Sequence, residues 1–112
     1  PDYEQLEPDY SMPAKELFQE FRSSKTEAEQ KYNGKMLLVN GELTRVEEAD
    51  TIVVAYFVFE EGMFGDEGVR CTMLESQKEK TLALSPGQEI SIKGYCSGYN
   101  ETDVILVKSS LN

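Results

Sequence analysis

Between Pro13 and Tyr32, the apolar residues Ala14, Leu17, Phe18, Phe21, Ala28 and Tyr32 recur at intervals of three and four, with a gap at Ser24 and Lys25. That spacing lays one apolar stripe along a cylinder, so a single amphipathic helix is expected over about 13–32. Pro13 suits its first turn, and Asn33-Gly34 tolerates the left-handed backbone that ends it. After Lys35 the period drops to two. Met36 to Val46 reads as a long first strand, with Gly41 marking a bulge or bend, and Glu47-Glu48-Ala49-Asp50 reads as a turn. Thr51 to Phe59 is β-branched and aromatic almost throughout, as in a strand covered on both faces. A Gly-rich acidic loop, Glu60 to Gly68, then leads to Val69-Arg70-Cys71-Thr72-Met73-Leu74, where Val69, Cys71 and Met73 share one face. Glu75 to Leu84 is polar, with room for a short helix, and Ser85-Pro86-Gly87-Gln88 carries the type II turn signature. Glu89 to Ser97 alternates, Tyr99-Asn100-Glu101-Thr102 turns the chain, and Asp103 to Lys108 is the last strand.

This pattern is mainly β: one leading helix and five strands, with a short helix fitting between the third and fourth. Strand spacing of this kind, with a glycine kink in a long first strand, points to a small closed barrel. Residues 1–12 carry four acids and the echo Pro1-Asp2-Tyr3 and Pro8-Asp9-Tyr10, with no sustained period, and are expected to be a flexible acidic tail or tether. Residues 13–112 then form one domain, a size that suits a single core.

Charge and composition narrow the chemistry. Twenty-one Asp and Glu oppose 11 Lys and Arg, for a formal charge of −10, the wrong sign for holding a phosphate backbone. His is absent, which removes the commonest general base and most zinc sites. The carboxylates match no EF-hand spacing, and no Trp is present to stack sugars beside a catalytic acid pair. No enzymatic activity, metal or cofactor is expected. Cys71 and Cys96 form no Cys-x-x-Cys or metal pattern; free buried thiols are preferred over a Cys71–Cys96 disulfide. The longest apolar run, Ile52 to Phe59, is too short to span a bilayer. The start at Pro1 fits either loss of an initiator Met or a chain trimmed of an export signal.

Several segments taken in order carry a resemblance: Lys31-Tyr32-Asn33-Gly34-Lys35, Leu38-Val39-Asn40-Gly41-Glu42-Leu43, Val69-Arg70-Cys71, Leu84-Ser85-Pro86-Gly87-Gln88, Ile92-Lys93-Gly94-Tyr95-Cys96-Ser97-Gly98-Tyr99 and Asp103-Val104-Ile105-Leu106. Over about residues 14–111 the chain resembles the bacterial tRNA-anticodon-like OB-fold family, small proteins that are often exported or lipid-anchored. The resemblance implies a five-stranded OB-fold barrel and an extracytoplasmic location, periplasmic or lipid-anchored, with the first 12 residues as a tether. It brings no catalytic motif.

Oligonucleotide-binding OB-folds use the face of strands 2 and 3 with the loops joining strands 1–2 and 4–5. Here those loops hold Glu47, Glu48 and Asp50, and Glu101 and Asp103, with no basic residue. Tyr56, Phe57, Phe59, Tyr95 and Tyr99 supply rings for stacking, though core packing competes for them. The acidic rim favours a non-enzymatic binding or adaptor module whose partner is a protein or an uncharged or cationic small molecule. Oligonucleotide binding is the alternative. Met63 and Phe64, an apolar pair in an acidic loop, either plug the barrel end or contact a partner or second copy, so that the protein is a monomer or a weak homodimer.

Overall fold

The computed structural model describes residues 1–112, which form a seven-stranded sheet and three α-helices. The expected single helix is two. In α1 (Ala14–Ser23) the residues Ala14, Leu17, Phe18 and Phe21 are buried, as their spacing requires. The chain then breaks at Ser24, where φ is −145° and ψ 63°, before α2 (Lys25–Tyr32) resumes. The interruption of the stripe at Ser24-Lys25 is the cause: no apolar side chain there holds the chain on its helical path. The Tyr32 hydroxyl donates to Glu20 Oε2 at 2.7 Å and ties α2 back to α1.

The long first strand also divides, into β2 (Met36–Glu42) and β3 (Arg45–Ala49). β2 pairs antiparallel with β6 (Glu89–Tyr99), whereas β3 pairs antiparallel with β4 (Ile52–Gly62). Between them Leu43 N–H donates to the Gln88 carbonyl and Thr44 N–H to that of Tyr56, so the chain passes from one neighbour to the other within two residues. Gly41 lets the Phe57 ring pack close against β2, because a Cβ there would lie only 3.2 Å from its Cδ1. With β1 (Tyr10–Pro13), β5 (Gly65–Met73) and β7 (Asp103–Leu111), the sheet order is β1-β2-β6-β7-β5-β4-β3. The segment 36–49 thus supplies strands near both ends of the sheet, which curls round on itself.

Three further expectations are corrected. Glu47 and Glu48 lie on β3 rather than in a turn, and the reversal is made by Asp50 and Thr51, both at positive φ (49° and 71°). The Glu60–Gly68 loop is largely hairpin, since Glu60, Glu61 and Gly62 pair with Glu67, Asp66 and Gly65. Residues 1–12 are docked, not a loose tether. Tyr10–Pro13 forms β1, parallel to β2; Met12 is buried; Asp9 accepts from Met36 N–H at 2.9 Å; and Lys93 Nζ donates to the carbonyls of Glu4 (2.8 Å) and Leu6 (2.6 Å). Those backbone partners are invisible in side-chain periodicity. The short helix expected between the third and fourth strands is present: a 3₁₀ turn at Glu75–Gln77 followed by α3 (Lys78–Leu82). At Ser85–Gln88 the turn has Gly87 at φ +91° and Gln88 N–H donating to the Ser85 carbonyl.

Inside the sheet, Leu37, Val39, Val53, Ala55, Phe57, Val69, Cys71, Ile92, Cys96, Val104 and Leu106 form one core with the α1 stripe. Cys71 and Cys96 are both buried and free. Each is paired with Leu106 from opposite sides, so they stand two strand spacings apart, about 9–10 Å, beyond the reach of a disulfide. Burial pushes both thiols up, Cys96 to about 11.

Candidate nucleic-acid interface

On β4, strand parity divides the candidate aromatics. Phe57 points inward and is fully buried, and Phe59 packs on Phe18 with ring centroids 5.8 Å apart. Tyr99, at the end of β6, packs on Phe21 at 5.7 Å. These three rings belong to the end of the sheet closed by α1. Burial, followed by the nearby Glu101 and Glu67 carboxylates, raises the Tyr99 phenol. Tyr56 and Tyr95 face the other way. Tyr56 is half-buried on the outer surface of β4, and Tyr95 is exposed on the outer surface of β6.

The register builds a row across that outer surface. Arg45 of β3 pairs with Tyr56 of β4, Tyr56 with Arg70 of β5, and Arg70 with Ile105 of β7. The Arg45 guanidinium lies 4.3 Å from the centre of the Tyr56 ring, a cation–π contact. It also donates to Glu47 Oε2 at 2.7 Å and Asp66 Oδ2 at 2.8 Å. Arg70 forms no ion pair within 4 Å, and its Nε is buried without a hydrogen-bond partner. Next to this row Tyr95 pairs with Val107, which with Ile105 is half-buried on the same side of β7. Tyr56 and Tyr95 are therefore three strand spacings apart across the sheet, about 14 Å, and offset by two residues along it, with Arg70, Ile105 and Val107 between them.

The loop acids are largely occupied. Glu47 is bound by Arg45, Glu48 by Lys78 at 3.0 Å, and Glu101, at φ +74° in the β6–β7 turn, by Lys25. Asp103 accepts from the Gly68 N–H at 3.2 Å. Burial raises its carboxyl pKa, against the lowering effects of that hydrogen bond and of Arg70. Asp50 sits exposed in the β3–β4 turn. Met63 and Phe64 do not plug the barrel: they cap the β4–β5 hairpin and are each 90% exposed. No group of three or more His, Cys, Asp or Glu converges as metal ligands, and no helix is long and apolar enough to cross a membrane.

The chain belongs to the tRNA_anti-like family, whose pattern it matches over residues 2–111. Its fold is that of a Klebsiella pneumoniae protein described as a "putative nucleic acid-binding lipoprotein", at 16% identity, with 91% of this chain and 90% of that one covered and a TM-score of 0.71. The S. pombe Stn1–Ten1 complex contains a weaker likeness, 11% identical over 69% of this chain and 57% of the other, with a TM-score of 0.48. None of the curated proteins matches the chain.

Arg45, Arg70, Ile105 and Val107 lie on strands, away from the loops expected to frame a groove, and were not among the residues expected to form it. The signal for Arg70 lies in Val69-Arg70-Cys71-Thr72-Met73: if Val69, Cys71 and Met73 face the core, Arg70 faces out.

Proposed function

We propose that this protein is a non-enzymatic OB-fold module that binds single-stranded nucleic acid across the outer face of β4, β5 and β7. In this reading β2 and β3 are one bent first strand, so that β2/β3, β4, β5, β6 and β7 make the five-stranded barrel and β1 is an addition to it. The observation that carries the function is the Arg45–Tyr56–Arg70 row, an aromatic residue flanked in register by two arginines on the face where OB-folds take oligonucleotides. Family membership and the nucleic-acid binding named for the Klebsiella protein support it. The acidic rim, which favoured a protein or small-molecule partner, weighs less once Glu47, Glu48 and Glu101 are engaged by Arg45, Lys78 and Lys25. The net charge of −10 still keeps the affinity modest.

Fluorescence anisotropy with labelled single-stranded DNA and RNA tests this at low salt. Binding with a Kd on the order of micromolar, weakening as salt rises, is expected. Absence of binding to both overturns it. An extracytoplasmic location is the companion proposal, supported by the lipoprotein neighbour. An apolar leader encoded upstream of Pro1 is expected, and a Met codon immediately before Pro1 counts against it.

A second reading rests on the exposed Met63 and Phe64, a contact for a partner or second copy. Light scattering of the wild type and Phe64→Ser tests the self-association form. A wild-type dimer that Phe64→Ser dissociates supports it, and two monomers exclude it.

A further inference from the structure

We propose that the two arginines of the outer face divide the ligand between them: Arg70 takes a phosphate and Arg45 serves the bases by holding Tyr56. This rests on the face binding a single strand, and it narrows the ligand to a short segment gripped at one phosphodiester.

Arg45 is already neutralised. Two carboxylates accept from it, Glu47 at 2.7 Å and Asp66 at 2.8 Å, while its plane lies against the Tyr56 ring. A phosphate arriving there would displace one carboxylate and still face the other, so it would release no net counterion. What Arg45 contributes is a fixed ring for a base to stack on. Arg70 stands on the other side of Tyr56 in the opposite condition. It has no carboxylate within ion-pair distance, and its Nε is enclosed with a proton to donate and nothing to accept it. With no carboxylate holding it, the Arg70 guanidinium can give a charge-assisted hydrogen bond to a phosphate without displacing a partner first. The Asp103 carboxylate interacts with Arg70 electrostatically but lies beyond ion-pair distance, which leaves Arg70 the one cation of the row with no carboxylate in contact.

One phosphate contact predicts a shallow salt dependence, with a log–log slope near −0.7 for a single strand. Between about 25 and about 200 mM salt the wild type should lose affinity about four-fold. The test is anisotropy of the full chain with fluorescein-labelled oligo-dT and oligo-U over that range, for wild type, Arg70→Ala, Arg70→Lys and Arg45→Ala, each checked for wild-type melting. Arg70→Ala should lose the salt dependence, Arg70→Lys should keep it, and Arg45→Ala should bind more weakly at every salt with the slope unchanged. Should Arg70→Ala unfold, the comparison of Arg70→Lys and Arg45→Ala decides: a flattened slope in Arg45→Ala, or in Arg70→Lys, overturns the division. So does a wild-type slope in folded Arg70→Ala. If the wild type binds neither oligonucleotide, the proposed function fails; if it binds and the slopes do not separate, only the division fails.

Discussion

At the end of the sheet closed by α1, Phe18, Phe59, Phe21 and Tyr99 pack ring against ring, with Phe57 sealed beneath them in the core. On the outer face of β4, one residue away from Phe57, Tyr56 lies half-buried between two arginines. Both regions are rich in aromatic side chains carried on the same strand, yet one is spent on cohesion and the other is left available. Successive strand residues point to opposite faces, so a shift of one position decides between them, and an aromatic-rich segment by itself does not mark a binding surface.

The sharpest way to break this comparison is to truncate one ring from each region. Phe57→Ala should lower the unfolding free energy by about 3–5 kcal/mol, read by chemical denaturation, because it leaves a cavity in a core that cannot collapse around it. Tyr56→Ala should cost about 1 kcal/mol of stability and lower oligonucleotide affinity by about 5- to 150-fold, the range of one lost base stack. If the two variants lose stability equally, Tyr56 is a core residue and the outer face is not a site.

Thr51→Gly probes the outer hairpin without touching either set of rings. Thr51 is β-branched and held at φ +71° in the two-residue β3–β4 turn, a conformation glycine adopts freely, so a gain of about 1 kcal/mol is expected with affinity unchanged. A loss would mean that contacts of the Thr51 side chain outweigh the backbone strain.

The smallest effect belongs to Asp103. Burial raises its folded-state pKa above the unfolded value, so the folded protein binds the proton more tightly than the unfolded chain does. Its contribution to stability therefore grows as pH falls from above the folded pKa toward the unfolded one, and is unfavourable at neutral pH. Asp103→Asn keeps an oxygen for the Gly68 N–H and removes the charge beside Arg70. Stability at neutral pH should be equal or slightly higher, and oligonucleotide affinity about two- to five-fold higher, with both gains shrinking in acid. A variant that is less stable at neutral pH would show that the carboxylate is needed in its charged form.

Much of the fold was legible along the chain. The α1 stripe of Ala14, Leu17, Phe18 and Phe21, the alternation of Val69, Cys71 and Met73, and the Ser85–Gln88 turn each follow from local periodicity or turn chemistry. The helix break at Ser24 was not foreseen, although the gap in the stripe at Ser24-Lys25 stood in the sequence: one continuous helix was expected where there are two. The docking of residues 1–12 was not marked at all, since it is made largely by backbone pairing with β2 and by carbonyls that accept from Lys93. The candidate site was half legible: Tyr56 and Tyr95 were among the rings named, but Phe57, Phe59 and Tyr99 could not be separated from them. Nor could the loop acids be known to be paired, because Lys25 and Lys78 are brought to Glu101 and Glu48 by packing of α2 and α3 and not by sequence distance.

The sequence by itself determined the number of apolar faces, the turns between them, the absence of histidine chemistry and the overall negative charge. These are local or additive properties. Only the tertiary structure decided that the chain from Met36 to Ala49 changes partners at Leu43 and Thr44, and that this brings Arg45 beside Tyr56 and Tyr56 beside Arg70. Register across strands is a long-range property, set when the whole sheet closes on its core, and it turned a chain with nearly twice as many acids as bases into one with a guanidinium left without an ion pair on the outer face of the sheet.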